Sequence, residues 1–272
     1  MKNTDLLQII RTLITANHIL DNQQVVDAFG HISVRNPSNA ETYFLSGYLA
    51  PGLVSSPSDI IEYFVSNRTP VDPSAGKGYS ERFIHGEVLR RFSGVNSVVH
   101  SHAEAVLPYA ISGVPLLPVF HMGGFLGTHV PVFDIAKIYN STNQQDMLVN
   151  NVYFGEALAA TFTNSTSSDV TIPENTVVLM RRHGFTTWGP DIQTAVDRAV
   201  YTKVNANAET HAMELRAAFA SSGLKLEPNF ELAPLTDAQA AGSKKMNEAT
   251  QDKPWPLWVR EVEVNPLYQN KA

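Results

Sequence analysis

The residues in this 272-residue chain best placed to do chemistry are His100 and His102 in Val98-Val99-His100-Ser101-His102. On a strand, side chains at i and i+2 leave the same face roughly 7 Å apart, so two imidazoles can converge on one cation. Two histidines that merely alternate on a half-exposed strand are the other reading. A third imidazole, His183, stands in Arg181-Arg182-His183-Gly184 just after the apolar run Thr176 to Met180. Ends of central strands are where ligand sites form in α/β sheets, and Gly184 permits close backbone approach. Three neutral nitrogens with an open position suit a catalytic divalent cation better than a structural one, because structural zinc sites fill all four positions.

Glu81 is the carboxylate expected nearby, in the first turn of a helix that Ser80 caps and that Ile84, Val88 and Phe92 mark by their spacing. Taken alone, it also reads as a helix N-terminal glutamate favoured by the macrodipole. His85 follows at i+4 and shares the Glu81 face, as a hydrogen-bonded partner or a polar surface residue.

The elements that must position these residues follow from period changes. Leu6, Ile9, Ile10, Leu13, Ile14 and Ile19 predict a helix over 4–20. Residues 30–35 and 42–45 alternate on either side of a turn-rich stretch and predict a hairpin, and 58–65 a further strand. Residues 96–102 read as a strand followed by a helix over 103–112, and 130–133 as a short strand. The run 176–181 suits a central strand covered on both faces, and 191–218 a long alanine-rich helix. This order predicts a three-layer α/β/α fold with a mostly antiparallel central sheet. The catalytic domain is expected over 1–218. Residues 219–272, proline-rich and carrying Trp255 and Trp258, are expected to pack on that domain or on a neighbouring subunit.

Composition narrows the function classes. The net charge is −6 and the 20 basic residues are scattered, so there is no electrostatic footprint for nucleic acid or an anionic membrane, and a small-molecule substrate is expected. With no cysteine, any metal must be held by His, Asp or Glu. The first twenty residues carry Asp5, Arg11 and His18 and lack the apolar core of a signal peptide, so a cytoplasmic location is expected.

Together the chain resembles the class II aldolase/adducin family over about Leu6 to Leu215. The resemblance is carried by Gly30-His31-Ile32-Ser33-Val34-Arg35, Ser80-Glu81, His100-Ser101-His102 and Arg182-His183-Gly184. It implies one divalent ion on His100, His102 and His183, and a Glu81 that ligates the metal or moves a proton; the nitrogen-rich donor set favours Zn over Mg on softness, with availability deciding between Zn and Mn. It also implies a homotetramer with active sites near subunit contacts. Sugar-phosphate aldolases of the family usually carry Gly-Asn where Gly30-His31 stands, and a phosphate-holding Thr-Gly where Ser46-Gly47 stands. The stretch Tyr79 to Glu87, with His121-Met122 and Pro131 to Asp134, looks closer to the branch of decarboxylases acting on hydroxylated aromatic or pyridine carboxylates.

The expected reaction is therefore decarboxylation. Retro-aldol cleavage, dehydration or epimerisation on the same site, and a non-catalytic adducin-like module, are the alternatives. His31 is the second proton-relay candidate and Tyr201 a third catalytic candidate. Arg35 and Arg182 could pair with a substrate carboxylate, or form surface salt bridges. Ser46, Ser80, His85 and His121 complete the substrate-binding set.

Overall fold

The computed structural model describes residues 3–167, 169–223 and 233–272. Helix α1 (Asn3–Asn22) leads through a loop into the antiparallel hairpin β1 (His31–Arg35) and β2 (Thr42–Ser46), then β3 (Ile60–Phe64). Next come α2 (Arg82–Arg91), β4 (Ser97–Ser101), α3 (Leu107–Ser112), β5 (Val132–Phe133) and α4 (Val152–Thr161). Strands β6 (Val177–Met180) and β7 (Gly184–Gly189) precede the 30-residue helix α5 (Ile192–Ser221). The sheet runs β3-β2-β1-β4-β7-β6-β5, and every neighbouring pair is antiparallel except β5 with β6.

Alternation along the strands divides the core in two. Ile32, Val34, Val99, Val177 and Leu179 face one way and bury against Leu13, Ile14 and Ile19 of α1 and Ala195, Val196 and Ala199 of α5. Val98, Val178 and Met180 face the other way, against Ile84 and Val88 of α2 and Phe154 and Leu158 of α4. The layers are therefore helix, sheet, helix, as expected, because each central strand is apolar on both faces. His31 and His100 are cross-strand partners and project to the α2 side.

Several boundaries differ from expectation for local reasons. Glu81, not Ser80, takes the N-cap position of α2; Ser80 is exposed, and the Glu81 carboxylate caps nothing because it is drawn into the site. Strand β4 stops at Ser101, since the Ser101 hydroxyl accepts the Ala103 N–H at 3.0 Å and turns the chain, and α3 starts only at Leu107. Strand β7 is not predicted by hydropathy: its threonines are buried, with the Thr187 hydroxyl on Thr176 O at 2.8 Å. Helix α4 is also unforeseen, although Asn151 caps it by accepting the Phe154 N–H at 3.0 Å.

Helix α5 runs beyond position 218 to Ser221, across the expected boundary. The tail forms α6 (Asp237–Thr250) and α7 (Trp255–Val264), and both pack on this chain. Trp258 and Val262 bury beside α1, where Asn22 and Gln23 donate to Glu261 at 3.2 and 2.7 Å. Among the described residues, no helix is long and apolar enough to cross a membrane.

Candidate metal centre and active site

His100 is the penultimate residue of β4, Glu81 the N-cap of α2, His102 the first residue after β4, and His183 lies in the tight turn between β6 and β7. One ligand atom from each of the four lies within 4.8 Å of all the others. The β6–β7 turn works because Arg182 adopts φ +62° and Gly184 has no side chain. A Cβ at Gly184 would stand 2.0 Å from the Ser101 carbonyl oxygen, so only glycine lets the turn press against the end of β4.

Hydrogen bonds on the far side of each ring determine which nitrogen faces inward. His100 Nδ1 donates to Phe185 O at 3.1 Å, a group that can only accept, so its Nε2 carries the lone pair. His102 Nδ1 stands 3.2 Å from both carboxylate oxygens of Asp27, which likewise leaves its Nε2 as the acceptor. These two nitrogens are 3.0 Å apart. Two neutral lone pairs at that separation repel unless a positive charge lies between them, which is how the donor set fits a divalent cation. His183 Nε2 is 3.4 Å from Glu81 Oε2, and His100 Nε2 is 3.7 Å from the same oxygen. Glu81 Oε1 is anchored by the Val149 N–H at 2.8 Å. Burial, followed by the neighbouring histidines, holds the His100 pKa well below its ordinary value and keeps the ring neutral, the form a metal needs.

Behind this group lies a second histidine chain. His31 Nδ1 is 2.7 Å from His85 Nε2, and His85 Nδ1 is 2.7 Å from the Ser33 hydroxyl. The Ser33 hydroxyl can donate or accept, so the chain can relay a proton in either direction, and both His31 Nδ1 and His85 Nε2 are used up within it, which leaves the His31 Nε2 as the free ring nitrogen. That nitrogen is buried and has no hydrogen-bond partner. Burial depresses both imidazoles, His85 to about 3, so the pair is neutral. The His31 ring packs 4.5 Å from Tyr79 and 5.1 Å from His100, centroid to centroid.

The remaining expected site residues are distributed differently. Ser46 is buried on β2 beside the Tyr79 hydroxyl. Ser80 is exposed beside Glu81. Arg35 lies at the opposite end of β1 from His31, about 13 Å along the strand. Its guanidinium donates to the carbonyls of Ala40, Leu89, Phe92 and Val95, which fastens the C-terminus of α2 to the hairpin. Arg182 adjoins His183 in sequence, but its side chain turns to Asp134 at 3.1 Å. His121 is exposed at the start of a 3-10 turn covered by α6, and Tyr201 packs 6.4 Å from the Trp258 ring. Neither belongs to the histidine group within this chain.

Asp27 was not foreseen. Its carboxyl is pulled down to about 2, first by the His102 bond. The only sequence signal is an Asp three residues before Gly30, which reads as a turn.

Comparison with known proteins accords with this geometry. Residues 11–209 match the family model described as Class II Aldolase and Adducin N-terminal domain. The chain belongs to that family. It is 46% identical over 263 residues to Decarboxylase tropJ of Talaromyces stipitatus, covering 97% of each chain. It is 26% identical over 212 residues to the 3,4-dihydroxyphthalate decarboxylase of Arthrobacter keyseri, covering 76% of this chain and 77% of that one. Among solved structures, an aldolase II superfamily protein from Pseudomonas syringae superposes with a TM-score of 0.69 at 18% identity, covering 97% of this chain and 95% of the other. The L-fuculose 1-phosphate aldolase of Glaciozyma antarctica gives 0.65 at 16% identity, covering 98% and 93%. These two fix the fold alone. The family and the 46% identical decarboxylase make the chain an enzyme of the lyase class.

Proposed function

We propose that this chain is a metal-dependent decarboxylase of a small hydroxylated aromatic or heteroaromatic carboxylate. His100, His102 and His183 would hold the cation. The observation that carries the reading is the pair of inward lone pairs on His100 and His102, 3.0 Å apart with Glu81 beside them. Decarboxylation is supported by the names of both relatives, and the substrate class by the more distant one, named for a dihydroxylated aromatic diacid.

Breaking a C–C bond to release carbon dioxide leaves an electron pair that needs a sink. A bound divalent cation, Zn or Mn for a nitrogen-rich donor set, would supply it, at several kcal/mol of transition-state stabilisation. The chain's own residues do the rest. Glu81, its Oε1 fixed by the Val149 N–H, presents Oε2 to the site as the group that carries a proton to the carbon vacated by carbon dioxide. His31 offers its unpartnered Nε2 to a substrate hydroxyl, and the His85–Ser33 chain holds the ring through Nδ1. Burial of His31, His85 and His100 excludes water and strengthens each of these interactions. A homotetramer goes with this reading, and the exposed Phe29 and Tyr48 close to the site supply apolar surface for a subunit contact.

The test is the metal content of the purified protein beside His102→Ala, followed by a carbon dioxide release screen of hydroxylated aromatic acids on the metal-loaded wild type. Near-stoichiometric metal, lost in the variant, with carbon dioxide released is the expected result. Metal without carbon dioxide, but with cleavage of a hydroxy-carbonyl compound, would make the chain a retro-aldolase. A wild type that takes up no divalent metal after loading would overturn the reading.

A further inference from the structure

We infer that Asp27 is the positioning residue of the metal centre: its carboxylate holds His102 with the proton on Nδ1 and aims Nε2 at the cation. This rests on the metal reading of the histidine group given above. Nothing in the chemistry of the four inward-facing residues requires Asp27, which lies 75 positions before His102 in the chain. The structure brings the two together through the loop between α1 and β1.

The carboxylate is itself fixed before it meets the imidazole. Asp27 Oδ1 accepts the Phe29 and Gly30 N–H groups, each at 2.9 Å, and so closes the turn that feeds into β1. That turn is pressed onto β4 at Gly30, where a Cβ would stand 2.6 Å from Val26 Cβ and 3.2 Å from the His100 carbonyl oxygen. With its backbone so held, the carboxylate places both oxygens 3.2 Å from His102 Nδ1. His102 lies beyond the end of β4 and has no ladder partner to orient it, whereas His100 is held within the sheet by Phe185 O. Asp27 therefore does for the loop histidine what the strand does for its neighbour. A ligating imidazole whose other nitrogen donates to a carboxylate has a defined tautomer and a more basic inward nitrogen, and loss of such a partner costs 10–100-fold in metal affinity. The Asp27 side chain is 49% exposed, so orientation and tautomer, more than its screened charge, carry the effect.

The same loop begins β1, so Asp27 also sets His102 and His31 in one frame. Asp27→Asn separates the two roles. An asparagine Oδ1 still accepts from Phe29 and Gly30, while an NH2 that can only donate stands where Oδ2 faces His102 Nδ1 and so disfavours a proton on that nitrogen. Chelator-stripped wild type and Asp27→Asn would be titrated with Zn2+ and Mn2+ alone by calorimetry. The ring-nitrogen tautomer of His102 would be read in both stripped proteins by long-range 15N–1H NMR. Expected are a stripped variant that still folds cooperatively with a modestly lower Tm, since the depressed Asp27 carboxylate adds stability at neutral pH, a metal Kd weakened by about 10–100-fold, and loss of the Nδ1–H tautomer seen in the wild type. Asp27→Ser, which keeps a turn acceptor but does not reach His102, gives the same result if the asparagine variant folds poorly. Equal metal Kd in wild type and variant would overturn the inference. If the wild type binds no metal, the metal reading fails by itself, and the NMR still decides Asp27: an unchanged His102 tautomer in the variant overturns its role, a changed one supports it.

Discussion

Replacing His85 by Gln should flatten the acid dependence of stability by a calculable amount. His85 is fully buried and its pKa falls to about 3 in the folded chain, from an ordinary 6.5. Burial is the cause, so the folded state refuses a proton that the unfolded state accepts. The depressed folded value means that stability is full above pH ~6.5 and is lost as pH falls toward 3, because the unfolded state then binds more protons. The contribution is negligible at pH 7.5 and reaches about 1.4 kcal/mol at pH 5.5, at 1.36 kcal/mol for each pH unit once the unfolded imidazole is charged. His85→Gln also breaks the bonds to His31 and Ser33, a pH-independent loss of about 1–3 kcal/mol. The gap between wild type and variant should therefore narrow by about 1.4 kcal/mol between pH 7.5 and pH 5.5. Urea unfolding of chelator-treated protein at the two pH values measures it, with metal linkage removed. His31 and His100 are present in both proteins, so their own titration largely cancels. A gap equal at both pH values would refute the reasoning that His85 is held neutral by burial.

Two further outcomes follow from the geometry. Gly184→Ala places a methyl group 2.0 Å from the Ser101 carbonyl, so the β6–β7 turn must shift; a loss of about 1–3 kcal/mol of stability is expected, with less bound metal per chain in elemental analysis. Wild-type metal content in a folded Gly184→Ala protein would contradict it. Arg35→Met removes the guanidinium donor from the carbonyls of Leu89 and Val95, while Phe92 O keeps the Val95 N–H, and should lower stability by about 2 kcal/mol, with KM unchanged in a steady-state assay once a substrate is identified. A large rise in KM at wild-type stability would return Arg35 to the substrate.

Local pattern was enough for much of the frame. The spacing of Leu13, Ile14 and Ile19, the alternation of Ile32 and Val34, and the continuous run Val177 to Met180 each report burial directly, and these segments are α1, β1 and β6. Strand β7 escaped because its burial is polar: Thr186 and Thr187 are buried among hydrogen-bond partners, and hydropathy does not register a satisfied hydroxyl. Of the candidate site, the i, i+2 spacing of His100 and His102 was legible as a convergent pair, but the strand that was expected to carry both ends at Ser101, so His102 reaches His100 from the turn and not from the ladder.

The amino-acid sequence alone determined which groups could meet a cation and on which local elements they ride. Only the tertiary structure decided that Glu81 gives up helix capping to face His183, that Arg35 spends its donors on backbone carbonyls, and that Asp27 stands behind His102. Each of these depends on which competing partner lies within about 3 Å once distant segments are packed, and hydrogen-bond direction is a property of that packing rather than of residue type.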